Sequence, residues 1–346
     1  MPLSPRARRA SAAALAAVVV TTSLPACSSG STGRESDDAA TGTYQIWDPY
    51  PHDTSAMLPN LLGAGQAGGN TYGVPIGANT LALYYNKQVL AAAGVDPAAV
   101  TDWAGLNAAL RKVKAAGRKG ITFSGIGTEE GSFQFLPWFG GSGAQLTRLD
   151  SPQAVSALQL WTGWLKADHA PNSVINNTQT TSWQEFATGD YAFAENGTWQ
   201  LVNAEKAGFA YGIIPIPAAA GGTAPAPTGG EFVSIPVQNS TRRYATSAKI
   251  VTCLTGSDNL LATDTTLSYV GPTDAVQQRQ IARTPALKVW VDAVKVARGR
   301  TGDGLGTKYP RISEPLRTAV QAALSGSKSP QDALTAAQAS AASAAK

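Results

Sequence analysis

The sequence predicts an α/β protein large enough for two domains. Three observations lead there. The chain has 346 residues, 43% of them hydrophobic, which is enough for about two cored domains. Short β-prone apolar runs recur at Thr80–Tyr84, 120–123, Tyr191–Glu195 and Tyr211–Ile214. Between them lie segments with helical spacing and recognisable starts.

Charge excludes one broad class of partner. Only 14% of residues are charged and the formal charge is +4. Arg6, Arg8 and Arg9 belong to a cationic start followed by an apolar run, Ala10 to Leu24, of about 15 residues. That run is too short to span a membrane comfortably. Leu24-Pro25-Ala26-Cys27 closes it, and the whole resembles a bacterial lipoprotein signal whose cysteine, Cys27, is lipidated. Pro25 is a less usual residue at its position in such a signal. Without the three arginines the chain holds 24 basic and 23 acidic residues, with no basic run. Nucleic acid is therefore not an expected partner. Residues 1–26 read as the signal and 27–42, rich in Gly and Ser, as a flexible tether. The other cysteine, Cys253, is expected to be a buried free thiol in a helix.

The elements follow in order. Thr43–Trp47 is a short strand that ends in a Pro-rich loop, Asp48-Pro-Tyr-Pro51. Ligands of open α/β sheets bind beyond the carboxyl ends of strands, so Trp47, Asp48 and Tyr50 are candidate contacts. Gly73-Val-Pro-Ile76 reads as a rigid turn into a strand, Thr80–Tyr84, and Asn86-Lys87 opens a helix closed by Gly94. Thr101 reads as the cap of a helix whose Trp103, Leu106, Leu110 and Val113 face a core. The loop after the 120–123 strand, Gly125-Ile-Gly-Thr-Glu-Glu-Gly131, misses the dinucleotide fingerprint and carries two glutamates that would repel a pyrophosphate. Ser151-Pro152 starts a helix with Val155, Leu158, Trp161 and Leu165 inward, and Ser182 reads as another helix start. Asn196-Gly197 is read as a turn, and Tyr309 as part of a loop. Ser240 and Ser329-Pro330 start helices, the last one Ala-rich.

Several stretches resemble one family. Tyr72-Gly-Val-Pro-Ile-Gly-Ala-Asn-Thr-Leu-Ala-Leu-Tyr-Tyr-Asn-Lys87 is similar to the hinge-crossing segment of family 1 extracellular solute-binding proteins, the sugar-binding subunits of ABC importers. Asn196-Gly-Thr-Trp199 resembles that family's Asn-Gly-x-Trp after a strand, and Thr228–Pro236 resembles its return crossing. These matches fall in family order across most of residues 43–346. The resemblance implies a two-lobed α/β fold of the type II periplasmic-binding kind. Lobe 1 would comprise 43–82 and 236–290, lobe 2 83–235 and 291–346. It implies Asn79, Glu130, Phe133, Trp199, Gly229, Gly230, Glu231 and Tyr309 as ligand-binding residues, with Trp199 stacking on a sugar ring. It further implies a sugar or oligosaccharide ligand, permease subunits as partners, a lipid anchor in the membrane, a monomer, and no cofactor.

Catalysis has little sequence support. His52 and His169 are the two histidines, and neither sits in a metal-ligand spacing. A hydrolase using a carboxylate pair, Glu130 with Glu231 or Asp48, is one alternative. A structural or adhesive cell-surface lipoprotein is another. One departure from the family stands out. Between the strand ending at Trp47 and Asp53 only Asp48 to His52 intervene, where a parallel crossover needs a dozen or more residues. The first lobe is therefore expected to be truncated near residues 51–52, with apolar surface left uncovered.

Overall fold

The computed structural model describes residues 52–67, 69–236, 240–301 and 305–344, all within one compact unit, 40–346. The strand expected at 43–47, Trp47, Asp48, Tyr50 and Cys27 lie outside the described residues. In chain order the elements begin with a one-turn helix, α1 (Pro59–Leu62), and a minimal hairpin, β1 (Gln66–Ala67) and β2 (Asn70–Thr71). Then come β3 (Val74–Asn79), β4 (Leu81–Asn86), α2 (Lys87–Ala92), α3 (Trp103–Ala115) and β5 (Lys119–Thr122). Next are α4 (Glu129–Gly141), α5 (Pro152–Lys166), α6 (Gln179–Ala187), β6 (Tyr191–Gly197), α7 (Leu201–Ala204), β7 (Tyr211–Ile214) and β8 (Gly229–Val233). The chain finishes with α8 (Thr241–Leu254), α9 (Ser257–Leu267), α10 (Asp274–Arg283), α11 (Lys288–Val296), α12 (Tyr309–Leu324) and α13 (Pro330–Ala344).

Two β assemblies organise the rest. A four-stranded sheet runs β5-β6-β4-β7, parallel between β5 and β6 and antiparallel elsewhere. Beside it, β3 and β8 form a separate antiparallel ribbon, with Asn79 opposite Gly229 and Gly77 opposite Glu231. The stretch Gly73–Ile76, expected as a turn, is mostly strand. Pro75, opposite Phe232, sits beside an irregularity of the ribbon, whose register shifts between Pro75 and Gly77, the kind of place where strands accommodate proline. At Thr80 the chain passes from ribbon to sheet, and its hydroxyl donates to Pro227 O at 3.1 Å.

The run Leu81–Tyr84 is apolar without interruption because both faces of β4 are covered. Leu81 and Leu83 enter a large core with α3, α4, α5, α12 and α13. Ala82 and Tyr84 point the other way, against Trp183, Phe186 and Trp290. Tyr84 stands edge-on to Trp183 at 5.0 Å between centroids, and its buried hydroxyl donates to Gly197 O at 2.8 Å. Trp103, Leu106, Leu110, Val113, Val155, Leu158 and Trp161 are all buried as expected, while Leu165 packs at the core's margin.

Most of the expected helix starts carry side-chain caps, and two caps fall on other residues. Asn86 accepts from Gln88 N and Val89 N, Ser151 from Ala154 N, Ser240 from Arg243 N, and Ser329 from Asp332 N. Asp102, not Thr101, caps α3, accepting from Gly105 N at 2.6 Å. Thr178, not Ser182, caps α6. Asn196 and Gly197 belong to β6, and Tyr309 begins α12. Cys253 is exposed, not buried. It lies two residues past the inward Val251, about 200° around the helix, and so faces outward.

Candidate functional site

The site grows from the junction of ribbon and sheet. Asn79 ends β3, and Gly229 faces it across the ribbon. A Cβ at Gly229 would run into Asn79 Oδ1 and come within 3.3 Å of the Phe133 ring, so this position must be glycine. Gly230 has φ +121° and its missing Cβ would overlap Gly77 O, a second requirement for glycine. Phe133, in the first turns of α4, meets Trp199 with centroids 6.4 Å apart and planes at 49°. Trp199 is half-buried and its ring folds over Gly197, where any side chain would collide with it.

A carboxylate ties this cluster to the C-terminal part of the chain. Glu129 is the first residue of α4. Its Oε1 accepts from Arg300 Nη1 at 2.9 Å and from Tyr309 Oη at 2.7 Å. Its Oε2 accepts from Ser132 Oγ at 3.2 Å and from Ser313 Oγ. Burial alone would push this carboxyl up, but the hydrogen bonds of Ser313, Tyr309 and Arg300, with the charge of Arg300, outweigh it and hold it below its ordinary value. Burial, then the bond to Glu129, pushes Tyr309 up to about 12. The Arg300 guanidinium lies 5.3 Å from the Phe133 ring centre and 5.6 Å from that of Tyr309. It is thus held by one carboxylate and two aromatic faces.

A cleft of about 520 Å³ opens beside this group, lined among others by Leu61, Gly77, Thr228, Gly229, Gly230, Phe232, Arg300 and Tyr309. A neighbouring cavity of about 330 Å³ shares Ala64, Arg300 and Thr301 with it. Of the residues named from sequence, Gly229, Gly230 and Tyr309 line the cleft; Asn79 and Phe133 stand against Gly229, and Trp199 packs on Phe133 without lining the cleft. Glu231 is exposed and accepts from Tyr269 Oη at 2.8 Å. Glu130 is exposed too, and its Oε2 accepts from Gln179 N at 2.9 Å, at the start of α6. Glu129, Arg300 and Ser313 were not anticipated. The sequence pattern places Glu129 in a loop, whereas it is the first residue of α4, and Thr128-Glu-Glu is the helix-start signal for it. Among the described residues no three His, Cys, Asp or Glu side chains converge on a metal position, and no helix is long and apolar enough to cross a membrane.

The family model described as bacterial extracellular solute-binding protein matches residues 12–289. This chain belongs to that family. Solved structures of similar fold include T. maritima MalE3 with maltose bound, at 24% identity and TM-score 0.73, matching 86% of this chain and 80% of that one. The GacH receptor of Streptomyces glaucescens GLA.O, solved unliganded and with acarbose, is 25% identical with TM-score 0.73, over 88% and 79%. The cyclic alpha-maltosyl-1,6-maltose binding protein of Arthrobacter globiformis is 23% identical with TM-score 0.74, over 88% and 80%. The fold of this solute-binding protein is therefore the two-lobed α/β fold expected from its crossing segments, and its place is extracytoplasmic.

Proposed function

We propose that this solute-binding protein is the sugar-binding lipoprotein of an ABC importer. It holds a sugar or oligosaccharide between two lobes, residues 43–82 with 236–290 and residues 83–235 with 291–346, and hands it to the permease subunits. The observation that carries the reading is that Arg300 and Tyr309, which line the cleft, are held by Glu129 and backed by Phe133, on which Trp199 packs. A pyranose offers an apolar C–H face for an aromatic ring and hydroxyls for fixed polar partners. Glu129 is saturated by its neighbours, so its part is to hold Arg300, whose remaining N–H groups are donors for a hydroxyl. The ligands named for the matched structures, maltose, acarbose and a cyclic maltosyl-maltose, support a sugar for this chain.

The anchor is lipidated Cys27, with 28–42 as tether. The first lobe is shortened near residues 51–52. Coverage of about four-fifths of each matched structure supports this, as do Ile250, 55% exposed, and Leu254, 41% exposed, on the outer face of α8. A thermal-shift screen over mono- and oligosaccharides tests the function. A sugar that raises the melting temperature in a saturable way is the expected result. No shift with any sugar, confirmed by calorimetry, refutes it.

A further inference from the structure

Asp264, on α9, is fully buried, and neither carboxyl oxygen has a hydrogen-bond partner. Its place is unusual. A Cβ on Gly77 would collide with Asp264 Oδ1 and approach the Tyr269 ring to 2.9 Å, and one on Gly271 would lie 3.4 Å from Oδ2. The carboxyl is therefore pressed against the backbone of β3, in the strand that leads into the sheet. Opposite Gly77 in the ribbon is Glu231, whose side chain leaves on the same face. Tyr269 donates to Glu231, and the Asn79 amide lies beside the same hydroxyl.

Among the described residues, the elements around Asp264 bring no balancing cation. From β8 comes Glu231, and from the turn after α9 comes Tyr269. From α10 come Gln277 and Gln280, both neutral and bonded to backbone of Gly271 and Tyr269. The charged Arg279 and Asp274 of α10 pair with Asp258 and Lys295, and Arg283, at its last turn, is exposed. Arg242, Arg243 and Lys249 of α8 are exposed.

We propose that Asp264 is a proton-operated positioning residue: neutral, it lets α9 sit against Gly77 and keeps Tyr269, Glu231 and Asn79 in place; ionised, it drives α9 off the crossing ribbon. Its effect on ligand affinity rests on the sugar-binding reading, whereas its effect on the ribbon does not. Burial, and then the charge of Glu231, push the Asp264 carboxyl up to about 8. With α9 lifted the group meets water and returns to an ordinary value of about 3.9. Lifting α9 therefore releases a proton between these two values. The docked form is fully favoured below the lower value, loses ground as pH rises, and levels off above the upper one. The change is at most tenfold per pH unit.

Hydrogen exchange of the ribbon amides in the sugar-free protein, corrected for intrinsic rates, tests this. Wild-type protection over 76–79 and 229–233 should fall at least tenfold between about pH 5.5 and pH 8. Asp264→Asn should abolish the fall. Glu231→Gln removes the neighbouring charge without touching the buried group, so its fall should level off at lower pH. That variant carries the test if Asp264→Asn does not fold. Constant wild-type protection, or an equal fall in Asp264→Asn, overturns the proposal. So does recovery of protection at pH 8 on adding calcium or magnesium, which would make the carboxylates a metal site. Maltose titrated at both pH values gives the ligand readout. Affinity lost at high pH in wild type but kept in Asp264→Asn supports the proposal, and an equal loss in both overturns its ligand arm. Absence of binding at both pH values counts against the sugar reading alone, since the exchange data stand without it.

Discussion

Replacing Glu129 by Gln keeps the shape of the side chain and removes its charge. The carboxylate accepts from Arg300 at 2.9 Å, Tyr309 at 2.7 Å, Ser132 at 3.2 Å and Ser313. Hydrogen bonds to a charged group contribute about 1.5–3 kcal/mol each when shielded from water. Here the Glu129 side chain is 40% exposed and that of Arg300 32% exposed, so solvent screening reduces the Arg300 bond to about 1 kcal/mol or less. Tyr309 is buried and loses more, but the amide oxygen of Gln still accepts one bond. The expected net cost is about 1–2 kcal/mol, or a fall in melting temperature of about 1–3 °C for a chain of this size. The pH dependence fixes the cause. The folded-state pKa of Glu129 is depressed, so its stabilisation is present above the ordinary value of 4.5 and disappears as pH falls through the lower folded value. The gap between wild type and Glu129→Gln should thus be open at neutral pH and close in acid. Scanning calorimetry at several pH values measures it. No gap at neutral pH, or an equal gap in acid, refutes the carboxylate's part.

Three further outcomes are expected. Trp199→Ala should weaken sugar binding at least tenfold, about 1.4 kcal/mol, by calorimetry, and Trp199→Phe should retain part of the affinity; unchanged affinity removes Trp199 from the site. Gly230→Ala should lower stability by about 1–3 kcal/mol in chemical denaturation, because φ +121° is denied to a residue with a Cβ; a neutral effect would mean the ribbon adjusts freely. Cys253 should react with a thiol reagent in the native protein at nearly the rate of the denatured one, since it faces outward on α8; protection until denaturation would show that face to be covered.

By itself the sequence determined what depends on neighbours along the chain. Asn86, Ser151, Ser240 and Ser329 each cap a helix through a bond two or three residues away, and such bonds are legible from order alone. The strand Leu81–Tyr84 follows from its continuous β-prone apolar run, and the inward stripe of Trp103, Leu106, Leu110 and Val113 from helical periodicity. Motif order carried the family. Where two adjacent residues competed for one role, local pattern could not choose: Thr101 against Asp102, or Glu130 against Glu129. Only the tertiary structure decided which carboxylate holds the cleft-lining Arg300 and Tyr309, because Arg300, Tyr309 and Ser313 lie 171, 180 and 184 residues further on. The same holds for Cys253 outside and Asp264 inside. Both lie on helices whose buried face is set by what packs against it, and hydrogen bonding and burial act through space, with no regard to sequence separation.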